Sequence, residues 1–589
     1  MRYCMNRLNE EQLQKIDELL DELDESRMIW LSGYLEGRIA GKGMQTVQKP
    51  EKSTGKILAR LAILYGTETG NCLLLAEKLA QKATFKNIDA RVYNLYEYDP
   101  VELQGEENIA VIVSTHGDGD MPEMAEDFYK YISGENAANM ENVSFSVLAL
   151  GDKTYKHFCV AGELIHNALK DLGAFNIVPL EKCDVDYEQK AEIWMNNFLM
   201  NITPSVVGDG DFAGEDNEPR EFNKNNPFPA KVLKKTRLSG AGSDKEVYHL
   251  ELSLEGSGLS YEPGDAVGIF TVNPERLIEQ ILTHTGLDEG QNVFVKVGQV
   301  TLKEALTNHV EITVLTYSLI KSYHEITQID GLDQLLNNDD LLEKYIHGRD
   351  LLDLLVDFPF EWNANKLVQI LRPLPPRLYS ISSSQEKVGE QVHATISLIK
   401  FEKVERERLG ACSSQIAYLL EEGRTVPIYI DKNPSFKLPE DNSAIIMVGT
   451  GTGIAPYRSF MQHRGSLGYK GYSWLFYGDR RFDSDFLYKE EWESMVEDES
   501  LERIDVAFSR DQAEKVYVQH KLIENQSEVF EWIENGAHFY LCGDMKKMAK
   551  DVNKTLLEII QTQGGVDEEQ ARQYLKMLKR EKRYQTDVY

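Results

Sequence analysis

The chain has 589 residues, about four times the length of a typical single domain, so one hydrophobic core cannot account for it. It carries 64 Lys plus Arg against 96 Asp plus Glu, and the net charge of -32 disfavours nucleic acid and anionic membranes as partners. The six cysteines have no ferredoxin-like or zinc spacing, and no apolar segment has the length of a signal peptide or membrane span. We therefore expect several soluble, cytoplasmic domains with reduced thiols, no metal centre and a protein partner with a basic face.

Residues 1–55 predict a helical segment followed by a linker. Asn9 stands at the N-cap position of an amphipathic helix and Gln12 at its capping-box position, and apolar residues then recur on one helical face. From about 41 to 55 the chain is polar and lacks periodicity, which is typical of a linker.

Residues 57–204 predict an open α/β domain. Apolar, strand-like runs alternate there with helical stretches, which is the pattern of a parallel sheet with crossover helices. The following residues, 205–225, are rich in Gly, Asp and Asn and almost free of apolar side chains. We expect this stretch to be a flexible hinge.

Residues 226–440 predict an antiparallel barrel, because short alternating apolar runs recur in this range. Leucine-rich, helix-like sequence from about 273 to 369 interrupts these runs, and a helical insertion is the simplest interpretation. From 441 to 589 strands and helices alternate again, which predicts a second parallel α/β domain. The fold class is therefore multidomain α/β.

A first phosphate-binding loop, GTETGN at 66–71, joins the first predicted strand to its helix. Because it has no lysine and matches neither the ATP-type P-loop nor G-x-G-x-x-G, a terminal monophosphate such as that of FMN fits best. Glycine and threonine also build ordinary turns, so the loop alone leaves that alternative open. The candidate ligands in it are Thr67, Glu68, Thr69, Gly70, Asn71 and Cys72.

Two further loops of the same domain each begin just past a predicted strand, at 114–117 and 150–159. Loops at the carboxyl ends of a parallel sheet form a ligand crevice, which here would hold the flavin ring. Tyr155 is the candidate for stacking on that ring, with ordinary packing as the alternative. The candidate contacts are Ser114, Thr115, His116, Gly117, Leu150, Gly151, Asp152, Tyr155, His157, Phe158 and Cys159.

A second pair of loops, RLYS at 377–380 and GACS at 410–413, indicates FAD. Arg377 offers a permanent charge with fork geometry for a pyrophosphate, and Tyr379 can cover a flavin ring. The second loop precedes a predicted helix, QIAYLLEEG, whose first N–H groups can hold the other side of the pyrophosphate. The candidate contacts are Arg377, Leu378, Tyr379, Ser380, Gly410, Ala411, Cys412 and Ser413.

A third loop, GTGTGIAP at 449–456, follows an apolar strand and opens a helix, so a dinucleotide backbone can approach it closely. Farther along the chain, two cations stand beside hydroxyl groups, which suits a 2'-phosphate and favours NADPH over NADH. A solvated basic turn is the plain alternative. The candidate contacts are Gly451, Thr452, Ser509, Arg510, Lys515, Tyr517 and Gln519.

From residue 57 onward these motifs, in this order, resemble the diflavin reductases, in which a flavodoxin-like FMN domain precedes a module like ferredoxin-NADP reductase. The resemblance implies that Ser380, Cys542 and Asp587 form the hydride-transfer group and that Tyr589 covers the flavin. Where the family usually has an aromatic residue or glutamine, this chain has His116. Further contacts implied by the resemblance are Thr313, Thr395, Ile396, Ser397 and Phe401 for FAD, with Phe401 replacing a tyrosine, and Asp551 for NADP.

Three segments, 8–41, 514–519 and 583–589, resemble the branch of this family that serves sulfite reduction. This resemblance implies that NADPH electrons pass through FAD and then FMN to a sirohaem and iron–sulfur haemoprotein subunit, which reduces sulfite to sulfide. It also implies homo-oligomerisation through the N-terminal segment. The acidic stretch 101–141 borders the FMN loop, so it is a candidate docking surface for a basic haemoprotein.

Several alternatives remain open from the sequence. The chain could be a general NADPH reductase for another haem protein, or a flavin-binding redox sensor without sustained turnover. A membrane-anchored reductase would need an apolar anchor, which the sequence does not contain. The acidic stretch could serve solubility alone, and the N-terminal helices could cap the FMN domain without self-association.

Overall fold

The computed structural model describes residues 59–67, 70–117, 119–202, 222–545 and 547–588. The predicted N-terminal helices and linker, most of the predicted hinge, and the candidate residues Glu68, Thr69 and Tyr589 lie outside the described residues. In the part of the chain that the structure describes, no helix combines the length and apolar character needed to cross a membrane.

The first domain is a parallel sheet with helices on both faces. Its strands are β1 (Ala59–Gly66), β2 (Ile88–Asn94), β3 (Asn108–Ser114), β4 (Ser144–Leu150), β5 (Phe175–Asn176) and β6 (Glu181–Cys183). Their order is β2-β1-β3-β4-β5, with β6 also paired to β4, and every pairing is parallel. The helices are α1 (Asn71–Phe85), α2 (Glu123–Ile132), α3 (Val160–Asp171) and α4 (Glu188–Ile202), with a 3₁₀ turn at Pro100–Gly105.

Two hydrophobic cores flank this sheet, because side chains of successive strand residues point to opposite faces. One core packs β1 and β3 against α1 and α4, and the other packs the same strands against α2 and α3. The almost continuous apolar strands at 61–66 and 109–113 are buried on both faces, as expected for the centre of a parallel sheet. The flavodoxin-like fold class is thereby confirmed.

The second domain is an antiparallel barrel of six strands. These are β7 (Phe228–Arg237), β8 (Val247–Ser253), β9 (Ala266–Ile269), β12 (Arg377–Ser380), β13 (Gln391–Ser397) and β16 (Thr425–Asp431). Their order is β12-β9-β16-β7-β8-β13, and a bridge between Ile381 and Ala394 joins the two end strands and closes the barrel. Two small hairpins lie beside it: β10 (Asn292–Val295) with β11 (Gly298–Thr301), and β14 (Lys400–Lys403) with β15 (Arg406–Leu409).

A helical insertion with its own core separates β9 from β12. Its helices are α5 (Glu275–Thr285), α6 (Leu302–Glu304), α7 (Tyr317–Thr327), α8 (Asp330–Leu336), α9 (Asp339–Ile346), α10 (Leu351–Asp357) and α11 (Ala364–Ile370). The leucine-rich run that reads as continuous helix from 341 to 358 is broken in two. Gly348 has a φ of 71°, and Asp350 forms a capping box with Asp353 that starts α10.

The third domain is a second parallel sheet, in the order β19-β18-β17-β20-β21. Its strands are β17 (Ile445–Thr450), β18 (Ser473–Asp479), β19 (Arg503–Phe508), β20 (His538–Gly543) and β21 (Tyr584–Val588). Short helices α12 (Gln385–Val388) and α13 (Ala411–Ser414) precede it in the barrel. Its own helices are α14 (Ala455–Ser466), α15 (Phe482–Asp485), α16 (Lys489–Glu497), α17 (Val518–Glu524), α18 (Gln526–Glu534), α19 (Met548–Gly564) and α20 (Glu568–Arg580).

Ion pairs connect the first domain to the other two. Lys576 on α20 lies 2.7 Å from Asp127 on α2, and Lys579 pairs with Glu123 on the same two helices. On the opposite side, Lys156 pairs with Asp339 of the insertion. Glu123 and Asp127 of the acidic stretch 101–141 are therefore paired within the chain.

Candidate functional site

The loop that follows β1 has the backbone shape of an anion-binding turn. Gly70 has a φ of 86°, in the left-handed region, and its N–H donates to Thr67 Oγ1 at 3.1 Å. A Cβ at Gly70 would lie 2.9 Å from Pro434 Cγ, so glycine is needed for space as well as for backbone conformation. The helix α1 begins at Asn71, and its first N–H groups therefore lie beside the loop. This arrangement fits a phosphate.

Cys72 stabilises the loop after β1 from the interior of the domain. Its side chain is fully buried, and its thiol forms hydrogen bonds with the hydroxyls of Thr67 and Ser114. Burial raises the pKa of Cys72 to about 12, so the thiol stays protonated at neutral pH. Because Ser114 ends β3, Cys72 connects the phosphate loop to the neighbouring loop.

The other two loops of this domain start side by side, because Ser114 and Leu150 are register partners at the ends of β3 and β4. Thr115 fastens them together. Its N–H donates to the carbonyl of Leu150 at 2.9 Å, and its hydroxyl accepts the N–H of Ala161 at 3.2 Å. The sheet thus brings the predicted crevice residues together at its carboxyl edge.

The loop after β3 is a tight turn that contacts the loop after β4. The N–H of His116 donates to the carbonyl of Asp120 at 2.9 Å, and the reverse bond measures 2.8 Å. Gly117 within this turn has a φ of 53°. A Cβ at Gly119 would lie 2.5 Å from His157 Cβ, so the two loops touch there. His116 and His157 therefore belong to one continuous wall.

Tyr155 presents its ring at the surface of the loop after β4. Its side chain is 48% exposed, whereas ordinary core packing would have buried it. The turn beneath is braced by Asp152, whose carbonyl accepts the N–H of Tyr155 at 3.1 Å and whose Oδ1 accepts the N–H of Thr154 at 2.7 Å. The ring is available for stacking on a planar ligand.

The inner side of that loop is rigid. The N–H of Gly151 donates to the carbonyl of Cys183 at 3.0 Å, and a Cβ at Gly151 would lie 3.0 Å from Cys159 N. Cys159 is buried, has a φ of 60°, and burial raises its pKa to about 12. Lys153 Nζ lies 5.7 Å from the ring of Phe158. These residues hold the loop in shape beneath Tyr155.

In the barrel, Arg377 and Thr313 meet on a buried carboxylate that the sequence prediction missed, Glu311. Arg377 Nη2 donates to Glu311 Oε2 at 2.5 Å, and the hydroxyl and N–H of Thr313 donate to Glu311 Oε1 at 2.7 and 2.8 Å. Burial by itself raises the pKa of Glu311, but the Arg377 charge and the Thr313 hydrogen bonds outweigh it and hold the pKa below its usual value. Glu311 thus orients both predicted FAD contacts.

The two predicted FAD loops touch through Tyr379 and Cys412, whose phenol and thiol form a hydrogen bond. The N–H of Ile399 donates to Ser413 Oγ at 3.1 Å, and the N–H of Gly410 donates to the carbonyl of Ile399 at 3.0 Å. The helical backbone begins earlier than the sequence predicted, since α13 starts within the loop at residue 411 and a π turn continues it to 419. The loop is therefore itself the first helical turn, which fits an anion better than a preceding coil would.

The remaining predicted FAD contacts differ in exposure. Ile396 lies in the barrel core, and Thr395 is 3% exposed, with its hydroxyl 2.7 Å from the Tyr488 hydroxyl. The side chains of these two residues therefore pack internally, and only their backbone is left for a cofactor. Ser397 is partly exposed, and Phe401 is 42% exposed. Leu378, between Arg377 and Tyr379, is exposed as well.

Two of the three predicted hydride-transfer residues, Ser380 and Cys542, meet at the carboxylate of the third, Asp587, although all three come from distant parts of the chain. Ser380 Oγ donates to Asp587 Oδ2 at 2.7 Å, and Cys542 Sγ lies 3.8 Å from the same oxygen. Cys542 and Asp587 are register partners on β20 and β21. The end of barrel strand β12 thus meets the carboxyl edge of the third domain at this point.

The glycine-rich loop after β17 lies directly against Cys542. A Cβ at Gly453 would lie 2.3 Å from the Cys542 carbonyl oxygen, so only glycine allows this approach. Gly451 has a φ of 56°, and Thr452 continues the same 3₁₀ turn into α14. A dinucleotide on this turn would have its nicotinamide end within reach of Cys542, which fits the predicted NADP site.

The predicted 2'-phosphate residues follow β19. Ser509 is fastened by its N–H to the carbonyl of Asp479 at 2.9 Å, and Arg510 pairs with Asp244 of the barrel domain. Lys515 is exposed, and Tyr517 is the N-cap residue of α17. Gln519 and Asp551, predicted from separate segments, are also brought together: Gln519 Nε2 lies 3.3 Å from Asp551 Oδ2.

Two charged residues that the sequence prediction missed lie at this site. Lys245, in the loop between β7 and β8, reaches across from the barrel domain and pairs with buried Asp479 at 2.5 Å. A Cβ at Gly451 would lie 3.7 Å from Lys245 Nζ, so this cation borders the glycine-rich turn. No local motif marks either residue, because they are 234 positions apart and only the docking of the two domains brings them together.

Three family models match successive parts of the chain. The Flavodoxin family model matches residues 63–194, the FAD binding domain model matches 220–415, and the Oxidoreductase NAD-binding domain model matches 447–554. The sulfite reductase (NADPH) flavoprotein alpha-component of Bacillus subtilis is 42% identical over 596 residues, which is 99% of this chain and 98% of the relative. Those of Shewanella sp. (strain MR-4) and Photobacterium profundum are 39% and 37% identical, each over 99% of this chain and 98% of the relative.

The three matched domains and the sites on them define a class: an NADPH-dependent oxidoreductase that carries FMN in its first domain and FAD in its second. The expected resemblance to diflavin reductases is thereby confirmed. Within that class the chain belongs to the family of sulfite reductase (NADPH) flavoprotein alpha-components, since the relatives match it from end to end.

Proposed function

We propose that this chain passes electrons from NADPH to a sirohaem and iron–sulfur haemoprotein subunit that reduces sulfite to sulfide. The observation that carries the electron-transfer part is the meeting of Ser380, Cys542 and Asp587 beside the glycine-rich turn. The names of the relatives support sulfite reduction as the process served. When bound, NADPH supplies two electrons at once, FAD accepts the pair and FMN passes electrons on singly.

The proposed roles of the residues follow from their contacts. Arg377, oriented by Glu311, binds the FAD pyrophosphate, and Tyr379 covers the flavin ring. Asp587 orients Ser380 and Cys542 at the site of hydride transfer. In the first domain, the turn at 66–71 holds the FMN phosphate and Tyr155 stacks on its ring. Ser509, Arg510, Lys515 and Tyr517 bind the 2'-phosphate, and the Gln519–Asp551 pair supports this site.

We also propose the domain boundaries, which the strand and helix pattern of the chain supports. Residues 57–204 form the FMN domain and 205–225 the hinge. Residues 226–440 form the FAD domain with its insertion at about 273–369, and 441–589 form the NADP domain. Limited proteolysis tests this division: a first cut within 205–225 should release a fragment that retains FMN, whereas a first cut inside either parallel sheet would contradict it.

The acidic stretch 101–141 is the proposed docking surface for the haemoprotein subunit. The turn of this stretch that contains His116 and Asp120 adjoins the proposed FMN ring site, and Glu123 and Asp127 of the same stretch pair with α20. By resemblance we also propose that residues 1–55 mediate self-association and that the protein is cytoplasmic. Light scattering of the chain with and without residues 1–50 tests the self-association. The same number of chains per particle in both samples would contradict it.

Sulfide formation tests the proposed function directly. The full chain, loaded with FMN and FAD, is mixed with a sirohaem and iron–sulfur subunit, and the sulfide formed is measured per NADPH consumed. Because six electrons convert sulfite to sulfide, we expect one sulfide for about three NADPH. Cytochrome c is the control acceptor. Its reduction without any sulfide would favour a general NADPH reductase, and negligible reduction of both acceptors would favour a redox sensor.

A further inference from the structure

One carboxylate of the barrel domain, Asp244, is surrounded by arginines of the NADP domain. Arg510 pairs with it, Arg481 Nη1 lies 3.2 Å from Asp244 Oδ2, and Arg480 Nη1 lies 3.9 Å from the same oxygen. The side chains of Asp244 and Arg510 are each 43% exposed, so a solute can reach them. Asp244 thus occupies one guanidinium that the proposed function assigns to the 2'-phosphate of NADPH.

The position of Asp244 is imposed by its neighbours on both sides. Ser243 Oγ donates to Asp485 Oδ1 at 2.5 Å, and Lys245 pairs with Asp479 at 2.5 Å. At the start of the loop, the N–H of Gly240 donates to the carbonyl of Ser484 at 2.8 Å. The loop between β7 and β8 is therefore fastened to the NADP domain at three points.

The same loop borders the dinucleotide site. Lys245 Nζ lies 3.7 Å from the place of a Cβ on Gly451, in the glycine-rich turn. Asp479, its partner, also accepts the N–H of Ser509, which precedes Arg510. A dinucleotide that lies on this turn and reaches Ser509 with its 2'-phosphate must pass close to the pair of Asp244 and Arg510.

We propose that Asp244 is an internal competitor of the 2'-phosphate of NADPH for the guanidinium of Arg510, and thereby sets the affinity for NADPH and the preference over NADH. The inference rests on the proposed role of Arg510. A phosphate monoester carries more negative charge and more acceptor oxygens than a carboxylate, so it displaces Asp244. NADH has an uncharged 2'-hydroxyl there and cannot. NADPH must therefore break the Arg510–Asp244 pair to bind, which weakens its binding by the free energy of that pair, whereas NADH binding is not weakened in this way.

Calorimetry with two small probes tests this competition. The full chain with both flavins is titrated with 2',5'-ADP, which carries the 2'-phosphate, and with 5'-AMP, which lacks it. For Asp244→Asn we expect the Kd of 2',5'-ADP to fall by about two- to five-fold, the upper part of the range for an exposed charge pair, and that of 5'-AMP to change less than about 1.5-fold. Asp483→Asn, which removes an exposed carboxylate of the neighbouring helix α15, is the matched control and should leave both Kd values unchanged.

Variants of Arg510 separate the inference from the proposed function on which it rests. Arg510→Ala should weaken 2',5'-ADP but not 5'-AMP, and Asp244→Asn should add no further change in that background. If Arg510→Ala leaves 2',5'-ADP binding intact, the proposed role of Arg510 is wrong. Arg510→Ala could instead weaken 2',5'-ADP binding while Asp244→Asn alone changes nothing, or tightens the binding of both probes equally. In that case the proposed competition is wrong and the role of Arg510 stands.

Discussion

Asp587 is the carboxylate that Ser380 and Cys542 share, and we propose that the chemistry of this site depends on it. Burial raises its pKa, and the hydrogen bonds from Ser380 and Cys542 offset this only in part. Burial and the neighbouring Asp587 raise the pKa of the Cys542 thiol well above its usual value, so the thiol is protonated at neutral pH. In the proposed hydride-transfer group, Cys542 would therefore contribute its position and its S–H group, not a thiolate nucleophile.

Asp587→Asn tests this role. Asparagine keeps the shape and still accepts the Ser380 hydrogen bond, but it removes the charge. We expect the rate of FAD reduction by NADPH, followed by stopped-flow absorbance, to fall by about 10- to 100-fold with FAD content unchanged. Because the pKa of Asp587 is raised, protonation of Asp587 should lower the wild-type rate at a higher pH than protonation of an exposed aspartate would. The variant should not show this decrease in acid. Asp483→Asn is the control, and an unchanged rate in Asp587→Asn would exclude the role.

Glu311 is a second residue whose effect can be isolated. Glu311→Gln removes the charge and the second carboxylate oxygen that orient Arg377, while its amide oxygen can still accept from Thr313. We expect a loss of about 1–3 kcal/mol in the free energy of unfolding and about ten-fold weaker retention of FAD in dialysis. Glu343→Gln, an exposed glutamate of the same insertion, should change neither measurement. Full FAD retention by Glu311→Gln would show that Arg377 does not need this carboxylate.

At the scale of elements, β8 and β13 of the barrel meet the start of α16 through two buried histidines. His249 Nδ1 lies 2.8 Å from the Tyr488 hydroxyl, and the rings of His249 and His393 lie 5.0 Å apart. Burial, reinforced by the charge of Arg458, lowers the pKa of both imidazoles to about 3. Both are therefore neutral in the folded protein over the physiological pH range.

This contact predicts a loss of stability in acid. Above the ordinary histidine pKa of about 6.5, the imidazoles are neutral in both the folded and the unfolded protein, so they do not change the free energy of unfolding. Below that pH, the unfolded chain binds protons that the folded chain does not bind, until the pH reaches about 3. Each imidazole should lower the free energy of unfolding by about 1.4 kcal/mol per pH unit in this window. Denaturant titrations at about pH 7 and pH 5 measure it. His393→Gln should reduce the pH dependence, and the exposed control His347→Gln should not.

Elements also show where local sequence was insufficient. The last strand, β21, is short and mostly polar, and nothing in its pattern distinguishes it from a tail. It becomes a strand because the edge of β20 offers unpaired backbone groups, and Cys542 and Asp587 then fall opposite each other. The capping box at Asp350 was likewise not identified from the sequence, and it begins α10 and so separates it from α9 within the leucine-rich run.

At the scale of the whole molecule, the ion pairs between α2 and α20 hold the FMN domain against the NADP domain. Lys576 and Lys579 are only partly exposed, and their partners Asp127 and Glu123 belong to the proposed docking surface. The lysines of α20 already offset part of the negative charge of these carboxylates. A basic haemoprotein would therefore be attracted more strongly to this face once the two pairs break.

Lys576→Ala with Lys579→Ala tests the strength of this contact. Because exposed pairs are screened by salt, the wild-type radius of gyration should rise with ionic strength, measured by small-angle X-ray scattering. The double variant should already be expanded at low salt, and each lost pair corresponds to about 0.2–1 kcal/mol. Lys554→Ala on α19 is the control. A double variant as compact as the wild type would show that these two pairs are not needed to hold the domains together.

The sequence by itself determined the class of this protein. The alternation of strands and helices, the three glycine-containing loops and their order are local features, because phosphate binding at a helix start needs only a few consecutive residues. Ser380, Cys542 and Asp587, by contrast, were predicted from a family resemblance, because no local pattern joins them. Their roles, like the domain boundaries, remain predictions.

Only the tertiary structure decided which distant residues face one another. It brought Ser380 and Cys542 to one carboxylate, set Glu311 beneath Arg377, and placed Asp244 on Arg510. Contacts between charged groups from different domains depend on how sheet edges and loops dock, which no short window of sequence contains. Short local motifs therefore indicate which cofactors the chain binds, whereas the docking of its domains determines which distant side chains surround each cofactor site.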